Sequence, residues 1–450
     1  MRVNGQSRSN TLSPRLSMSP SRHTPHQILK SVWGYDQFRS NQGDIVQALC
    51  AQRDALIVMP TGGGKSICFQ VPGLVLPGVT IVISPLIALM ENQVQALKAK
   101  RVPAELLHSQ LDRSKRKQIL HALDVGALKL LYLSPETLLS EAVMSRLLEP
   151  ELQISSLILD EAHCLVQWGD AFRPAYLELG TVRDRLLEAK VHKTPINVAA
   201  FTATANPIEQ ATIEQTLKLQ NPAHFVEVPY RSNLHLQVQR VWTPHDRRSK
   251  LLTFIRSQVN ASGAIQSGIV YVRTRKDSEE IAEWLRSHHI LAGAYHAGLL
   301  TREKRQIEMD WMDDRVACVV ATSAFGMGVD KPDVRWVAQV QPPFWLSEYV
   351  QEIGRAGRDG QRAIGLTLVS ESTGWIDAVD SQSWNHTLQQ LKTQLGTRSG
   401  ADLVKAIPKK PEVQQYLNHK GCRWNYIQSF FGTTTVNPAG CGHCDWCLSR

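Results

Sequence analysis

Short apolar runs alternate with stretches of helical periodicity from about residue 28 onward. Five runs in the first half have the length and composition of buried strands: Ala55–Met59, Thr80–Ser84, Lys129–Leu133, Ser156–Asp160 and Asn197–Phe201. Helical patterns such as Leu86–Lys98 lie between them. Continuous apolar strands that are separated by helices predict a parallel sheet covered on both faces.

A second series of strands follows at Ile269–Val272, Ala317–Ala321, Trp336–Val340 and Gly365–Val369. Two such series predict two α/β domains, with a hinge somewhere in 222–245. Functional loops should then lie at the carboxyl ends of the strands. The stretch 371–420 is more polar and mostly helical in pattern, and a cysteine-rich segment follows it.

The chain has a modest net positive charge, and its first segment has an unusual composition. The 450 residues suggest about three domains. The net charge of +9 is compatible with a polyanionic partner without proving one. Residues 1–26 contain Arg2, Arg8, Arg15 and Arg22 but no acid, and we expect a disordered basic tail. An organellar transit peptide is the alternative, although no apolar stripe supports it. No apolar run approaches the roughly 18 residues of a membrane span.

The cysteines fall into two groups. Cys50, Cys68, Cys164 and Cys318 are scattered, mostly within apolar runs, and are typical of core residues in a reducing compartment. The other four, Cys422, Cys441, Cys444 and Cys447, crowd the C-terminal end. Four thiolates at this spacing predict a closed, structural zinc site, with Cys422 arriving on a helix. His419 and His443 are rival ligands.

A glycine-rich loop follows the first strand and precedes a helix. It reads Pro60-Thr61-Gly62-Gly63-Gly64-Lys65-Ser66, with Met59 where the general phosphate-binding motif has glycine. The glycines let backbone N–H groups turn onto phosphate oxygens. Lys65 would reach the β- and γ-phosphates, and the Ser66 hydroxyl would bind magnesium. The order of strand, loop and helix favours a nucleotide site over an incidental lysine.

Two adjacent carboxylates end a later strand. Asp160 would hold magnesium, and Glu161 would orient or deprotonate the attacking water. His163 could couple this site to another. Acids are also common at solvated helix starts. Together with the glycine-rich loop, however, they form the two halves of one nucleotide site.

These motifs, taken in order, resemble those of superfamily-two helicases and, more narrowly, those of RecQ helicases. The resemblance covers about residues 28–447. It is carried by Gly34–Arg39 with Gln42, the loop at 60–66, Ser84–Met90, Asp160–His163, Phe201–Ala205, Phe325–Pro332, Gln351–Arg358 and the four C-terminal cysteines.

The resemblance implies roles for further residues. Tyr35 would stack on adenine, with Arg39 and Gln42 binding the nucleotide. Arg355 and Arg358, beside Gln351, would be arginine fingers from the second domain. The segment that ends at Asp330 would couple ATP to that domain.

The segment after the acidic pair resembles the aromatic-rich DNA-binding loop of the family. Trp168, Phe172, Arg173 and Tyr176 would contact DNA, by stacking or by pairing with phosphate. Packing within the domain is the alternative for the aromatic residues. This chain has Asp170-Ala171 where the family usually has His-Asp. We therefore expect DNA to stimulate ATP hydrolysis through Trp168, Phe172 and Arg173.

The resemblance implies an α/β protein with two RecA-like domains in tandem and a small helical zinc-binding module. The expected divisions are a tail at 1–26, an ATP-binding domain at 27–225, a second motor domain at 226–372 and the zinc module at 373–450. The implied function is an ATP-dependent DNA helicase that moves 3′ to 5′ and unwinds duplexes in recombination, repair and replication.

We expect ATP, magnesium and zinc as cofactors, and single-stranded and tailed duplex DNA as partners. We further expect a monomer that does not bind membranes and acts on the chromosome in a bacterial cytoplasm. The sequence also suggests a short form that ends after the zinc module, for which weaker unwinding is expected. Two alternatives remain: an ATP-gated DNA-binding or strand-annealing translocase, and an RNA helicase.

Overall fold

The computed structural model describes residues 23–60, 62–167, 175–191, 194–323, 325, 331–370, 411–433 and 437–450. The first helix, α1, spans Pro25–Ile28 and is capped by the side chain of Thr24. A short π-helical turn, Leu29–Trp33, continues it. Helix α1 therefore starts inside the range assigned to the tail, two residues before the expected domain start. The Thr24 cap and Pro25 at the first helical position explain this start.

Seven parallel strands form the first sheet. They are β1 Ala55–Val58, β2 Val79–Ile83, β3 Ala104–Leu107, β4 Leu130–Leu133, β5 Ile154–Leu159, β6 Asn197–Thr202 and β7 Ala223–Val226. Their order across the sheet is β3, β4, β2, β5, β6, β1, β7. The inner strands are buried on both faces, as their unbroken apolar sequences require.

Helices cover both faces of this sheet. They are α2 Gln42–Cys50, α3 Lys65–Val75, α4 Ile87–Ala99, α5 Arg113–Asp124, α6 Pro135–Leu139, α7 Glu141–Leu147, α8 Cys164–Gln167, α9 Ala175–Ala189 and α10 Pro207–Leu217. One apolar cluster fills each side of the sheet.

The second sheet has six strands, again parallel. They are β8 Leu234–Val241, β9 Gly268–Tyr271, β10 Ala292–Tyr295, β11 Cys318–Ala321, β12 Trp336–Gln339 and β13 Ala363–Ser370, in the order β10, β11, β9, β12, β13, β8. The helices of this domain are α11 Pro244–Ser257, α12 Arg275–Ser287, α13 Thr301–Met312 and α14 Leu346–Ile353.

Three short helices form the described part of the C-terminal module: α15 Glu412–Asn418, α16 Arg423–Phe430 and α17 Asp445–Leu448. The module packs on the edge strand β8. Trp424 is buried there, and its Nε1 donates to the Leu234 carbonyl over 3.1 Å. The Asp445 carboxylate accepts the Val238 N–H at 3.1 Å. The module therefore shares a core with the second domain.

The predicted fold class is confirmed, and every predicted strand is present within one or two residues of its expected ends. The connection between the sheets is 227–233, which lies within the range 222–245 where a hinge was expected; the rest of that range holds β7, β8 and the start of α11. Cys68, Cys164 and Cys318 are buried, while Cys50 is half-buried. Among the described residues, no helix combines the length and apolarity that crossing a membrane requires.

Candidate active site

The glycine-rich loop turns tightly between β1 and α3. Gly62 and Gly64 have φ angles of 86° and 77°, in the region that side chains disfavour. A Cβ atom at Gly64 would also collide with the Gln42 side-chain nitrogen. The Lys65 ammonium donates to the Met59 carbonyl across the loop at 3.3 Å. Ser66 lies in the first turn of α3, so its hydroxyl and the helix N-terminus face the same end of the sheet.

The acidic pair follows β5, two strands away in the same sheet. Asp160 is buried and accepts a hydrogen bond from Gln93 Nε2 at 3.3 Å. Glu161 has a φ of 55°, a left-handed conformation that is uncommon for glutamate. Across this strained turn the two neighbouring carboxylates have different partners: Asp160 contacts Gln93, and Glu161 contacts His163.

The two carboxyl groups differ in acidity. Burial raises the pKa of Asp160, and the adjacent Glu161 charge raises it further. Burial alone would raise the pKa of Glu161 as well, but the positive charges of Lys65, His163 and Arg355 outweigh it and lower that pKa. Glu161 is therefore the more readily ionised group of the pair.

His163 connects the acidic pair to the end of β6. Its Nδ1 lies 3.3 Å from the Glu161 carboxylate and 3.3 Å from the Thr202 hydroxyl. Burial by itself would lower the pKa of His163, but its contacts with Cys164 and Glu161 prevail and raise it. His163, which was expected to couple the acidic pair to another site, therefore contacts both Glu161 and Thr202.

Of the three candidate base-binding residues that precede β1, Gln42 contacts the glycine-rich loop. Gln42 is buried; its Oε1 accepts the Arg39 N–H at 2.9 Å, and its Nε2 donates to the Gly63 carbonyl at 3.0 Å. Tyr35 is 46% exposed, and the Arg39 guanidinium lies 5.7 Å from its ring centroid. Tyr35 is therefore no core residue, and its ring can stack on a planar ligand.

The second domain reaches the same site through the segment after β12. Gln351 Nε2 donates to the Thr204 hydroxyl of the first domain at 3.0 Å. The Arg355 guanidinium is close enough to lower the pKa of Glu161, and it hydrogen-bonds to the Tyr271 hydroxyl. Arg358 lines a small cavity with Trp311, among other residues.

The donor set fits magnesium and a nucleotide triphosphate. The Ser66 hydroxyl and the Asp160 carboxylate are oxygen ligands of the kind that magnesium prefers. The glycine backbone, Lys65 and the helix N-terminus suit a phosphate chain.

Several predicted residues lie outside the described residues: Thr61, Asp330, Trp168, Phe172 and Arg173. Tyr176, which was expected to contact DNA, lies on α9, and its side chain is fully buried in the core of the first domain. This position favours the alternative of packing within the domain.

The four C-terminal cysteines come together as predicted. Their sulfur atoms all lie within 4.8 Å of one another, and Cys441 Sγ is 3.9 Å from Cys447 Sγ. Zn–S bonds of about 2.3 Å in a tetrahedron place sulfurs at about this separation. Cys422 caps α16 rather than lying within a helix. His443 Nδ1 bonds to the Cys441 carbonyl at 2.7 Å, outside the thiol set.

Sequence reasoning missed the residues that support the site from a distance. Gln93, Thr204 and Tyr271 contact Asp160, Gln351 and Arg355 respectively. Thr204 belongs to a motif noted in the sequence, and Gln93 follows another on α4. Tyr271 carried no signal, because a tyrosine at the end of an apolar strand is typical of core packing.

The chain matches three sequence families in succession. They are described as DEAD/DEAH box helicase over residues 39–212, helicase conserved C-terminal domain over 248–360, and RecQ zinc-binding over 385–448.

Among curated proteins, the chain is 47% identical to "ATP-dependent DNA helicase RecQ" of Synechocystis sp., covering 88% of this chain and 81% of the relative. It is 35% identical to the protein of the same name from Haemophilus influenzae, covering 97% of this chain and 65% of that relative. A rat protein, "ATP-dependent DNA helicase Q5", is 36% identical, and the match spans 43% of its length.

Solved structures share the architecture at low identity. The Mycobacterium smegmatis helicase Lhr, bound to ssDNA and AMP-PNP, gives a TM-score of 0.58 at 20% identity, covering 80% of this chain and 49% of that one. Saccharomyces cerevisiae Dbp5, bound to RNA and ADP BeF3, gives 0.59 at 16% identity, covering 78% and 88%. These likenesses concern the fold alone.

Proposed function

The chain belongs to the RecQ family of ATP-dependent DNA helicases, and from that membership we propose how its residues drive the reaction. It is an ATP-dependent DNA helicase of the RecQ type that uses ATP and magnesium. Bound magnesium supplies charge neutralisation on the phosphates. The remaining chemistry falls to the residues that converge between the two domains.

In the first domain, Lys65 and the N–H groups of Thr61, Gly62, Gly63 and Gly64 bind the phosphate chain. Ser66 and Asp160 hold magnesium. Glu161, kept ionised by nearby cations, orients the attacking water and accepts its proton. His163 links Glu161 to Thr202, so a shift at the acidic pair reaches the end of β6.

In the second domain, Arg355 and Arg358 stabilise the charge that develops on the transferred phosphoryl group. Gln351 joins the domains through its hydrogen bond to Thr204. Asp330 belongs to the segment that couples ATP binding to the second domain. One observation carries this proposal: Gln351 Nε2 of the second domain donates to the Thr204 hydroxyl of the first domain at 3.0 Å, four residues before Arg355. The motif that contains both arginines therefore adjoins the first domain, as a shared phosphoryl-transfer site requires, and the Arg355 charge helps to lower the pKa of Glu161.

Tyr35, Arg39 and Gln42 select the base. The exposed Tyr35 ring stacks on adenine, and the Arg39 guanidinium beside it adds charge. Gln42 holds the glycine-rich loop through Gly63, so base binding and phosphate binding share one residue. This arrangement favours ATP over nucleotides whose base edge differs.

For DNA, we propose movement 3′ to 5′ on a single strand, with Trp168, Phe172 and Arg173 contacting it. The enzyme then acts as a monomer on tailed duplexes in recombination, repair and replication, in a bacterial cytoplasm. The support is the name and bacterial source of the most similar relatives reported above. The four-cysteine site is structural, since its ligands leave no position for a substrate.

Strand displacement tests this function directly. The substrate is a duplex with a 3′ single-stranded tail, supplied with ATP and magnesium, and the control carries a 5′ tail. We expect displacement from the 3′-tailed duplex only. Displacement from the 5′-tailed duplex alone would overturn the direction. Intact DNA-stimulated ATPase without displacement would favour a translocase or annealing enzyme, and stimulation by RNA but not DNA would favour an RNA helicase.

A further inference from the structure

The connection between the two sheets is short and fixed at its start. It comprises residues 227–233, which we call the linker, between β7 and β8. The Glu227 N–H donates to the Val58 carbonyl at 2.8 Å, which extends the first sheet. The Glu227 carboxylate accepts the Ser40 hydroxyl at 2.8 Å and the Asn41 amide at 3.4 Å. These two residues immediately precede Gln42, which holds the glycine-rich loop.

The far end of the linker is fastened to the backbone around Arg355 and Arg358, at 355–361, which we call the arginine loop. Asn233 Nδ2 donates to the Gly357 carbonyl at 2.8 Å and to the Gln361 carbonyl at 2.7 Å. The Arg231 guanidinium donates to the carbonyls of Ala356 and Gly357. Arg231 Nε also bonds to Asn233 Oδ1 at 3.2 Å, so the two linker side chains act as one unit.

The arginine loop makes its tightest turn where these side chains bind. Gly357 has a φ of 64°, and a Cβ atom there would lie 2.7 Å from Asn233 Nδ2 and 2.8 Å from the Gln361 carbonyl oxygen. Gly357 lies between Arg355 and Arg358 in the chain. A displacement of Asn233 would therefore move the backbone from which both arginines extend.

Charge supports the same arrangement. Arg231 is partly buried, and burial together with the nearby Arg358 charge lowers the pKa of Arg231. The Arg231 guanidinium donates to backbone carbonyls of the arginine loop, and the Asp359 charge partly offsets the effect of Arg358 on the pKa of Arg231.

The middle of the linker contacts the zinc module. The Tyr230 ring packs edge-on against Trp424, with centroids 5.4 Å apart, and lies 6.0 Å from the His443 ring. The linker therefore touches the nucleotide-binding element, the zinc module and the arginine loop within seven residues.

We propose that the linker is a strap that positions the arginine loop, with Arg231 and Asn233 as positioning residues for phosphoryl transfer. They act through Arg355 and Arg358 and do not contact the nucleotide themselves. The Glu227 end ties this loop to the element that binds the base. The inference rests on the proposed function, because it takes Arg355 to act on ATP.

The central test compares Asn233→Ala and Asn233→Asp with the wild-type enzyme. Alanine removes both donors, and aspartate keeps the shape but presents acceptors to two carbonyls. We expect kcat for DNA-stimulated ATP hydrolysis to fall about 10- to 100-fold, since small misplacements of catalytic groups have effects of this order. KM for ATP and the binding of AMP-PNP should stay within about threefold, a range far narrower than the kcat effect. Arg231→Lys keeps the positive charge but not the planar set of guanidinium donors, and we expect its kcat to fall less than that of the Asn233 variants.

Two control variants separate positioning from loss of structure. Asn260→Ala removes an asparagine that holds an exposed turn of the same domain through Ser262 and Ala264. Arg315→Lys changes an exposed arginine paired with Asp310 and Asp313. Both should leave kcat unchanged. Melting temperatures of all variants report any general destabilisation, and Asn233→Asp or Arg231→Lys serves if Asn233→Ala fails to fold.

A combined variant gives the decisive readout. If Asn233 acts through Arg355 and Arg358, adding Asn233→Ala to a variant in which both arginines are alanine should cause no further loss of kcat. Additive losses would overturn the inference, and so would an unchanged kcat in Asn233→Ala and Asn233→Asp while Arg355→Ala is inactive. Full activity of Arg355→Ala would instead overturn the proposed role of the arginines. The two failures are therefore distinguishable.

Discussion

The two halves of the nucleotide site are supported in different ways. In the first domain, Glu161 lies two residues after the buried strand β5, and Lys65 follows the buried strand β1 through the glycine-rich loop. In the second domain, Arg355 and Arg358 lie on a loop whose carbonyls are held by side chains from the linker. The first half follows mainly from local chain geometry, to which Gln42 and Gln93 add contacts from other segments, and the second depends on contacts between distant segments.

This difference separates binding from catalysis. A half fixed by neighbouring strands can hold a nucleotide whatever the second domain does. A half held through the linker depends on the arrangement of both domains, so its charge reaches the phosphates only when that arrangement is correct. Substitutions in the two halves should therefore affect different steps.

Arg355→Ala should have the largest effect. Loss of an arginine finger lowers phosphoryl-transfer rates by about 10³–10⁵. We expect kcat for DNA-stimulated ATP hydrolysis to fall by this order, while AMP-PNP binding is retained. Steady-state ATPase assays and an equilibrium binding titration measure the two quantities. A loss of less than tenfold would contradict the division of labour between the halves.

Glu161→Gln tests the first half in the same assays. Removing a general base lowers rates by about 10²–10⁴. Nucleotide binding should persist, because Lys65 and the glycine-rich loop remain in place. A Glu161→Gln enzyme that no longer binds AMP-PNP would mean that Glu161 organises the loop rather than activates water.

Arg183→Leu tests the scaffold of the first half. Arg183 lies on α9, and its Nη1 is 2.5 Å from the carboxylate of Asp54, the residue before β1; both side chains are buried. Asp54 also accepts the N–H groups of Val198 and Gln220. Leaving this carboxylate without its cation should destabilise the domain by about 3–5 kcal/mol, as measured by urea unfolding. Arg185→Leu, an exposed change on the same helix, should have little effect; equal losses would remove the special role of the ion pair.

Trp168→Ala tests whether DNA stimulates ATP hydrolysis through the first half of the site. Base stacking on an aromatic side chain contributes about 1–3 kcal/mol per base. We expect basal ATPase to be kept and stimulation by single-stranded DNA to be lost. Trp242→Ala changes an exposed tryptophan of the second domain and serves as the control. Unchanged stimulation in Trp168→Ala would refute the expected coupling.

The smallest expected effect concerns the contact between the zinc module and the start of α14 in the second domain. Glu412 of the zinc module accepts the Leu346 N–H at 3.0 Å, at the start of α14. Burial, with the nearby Glu209 charge, raises the pKa of Glu412 to about 8, and burial raises that of Glu209 to about 7. The folded state therefore holds protons that the unfolded state releases near pH 4.5. This stability is present at low pH and is lost as the pH rises through about 7–8.

Glu412→Gln should flatten this dependence. Its apparent melting temperature at pH 9 should exceed that of the wild type by about 2–4 °C, the shift expected for about 1 kcal/mol. Glu283→Gln, on an exposed helix position, should follow the wild-type curve. Parallel curves for Glu412→Gln and the wild type would show that the junction does not hold these protons.

The sequence predicted the inner strands and missed the outer ones. All four missed strands, β3, β7, β8 and β10, are the edges of the two sheets. Edge strands have one neighbour and one partly exposed face, so they need not be continuously apolar. Glu105 in β3 and the half-buried positions of β8 show this directly.

The same reasoning separates the predicted from the unpredicted parts of the site. Motif residues such as Lys65 and Asp160 are close to their strands in sequence, so spacing alone predicts their position. Gln351 and Thr204 are 147 positions apart, and Asn233 and Gly357 are 124 apart. Side-chain contacts between residues so far apart in the chain produce no periodic pattern in the sequence. The burial of Tyr176 was not predicted, because a family motif was weighed above the helix signals Pro174 and Glu178 on either side of it.

The position of β1 within its sheet has a consequence for the order of synthesis. Ala55 pairs with Ala199 on one side and with Ala223 on the other. The strand that carries the glycine-rich loop therefore has no neighbour until 144 further residues have been made, and it lacks its second neighbour until 168 have been made. At about 5–20 residues per second, the first interval takes about 7–29 s and the second about 8–34 s. We expect the nascent chain to expose an apolar, unpaired strand throughout the first interval, and to acquire nucleotide affinity only once β7 has emerged from the ribosome.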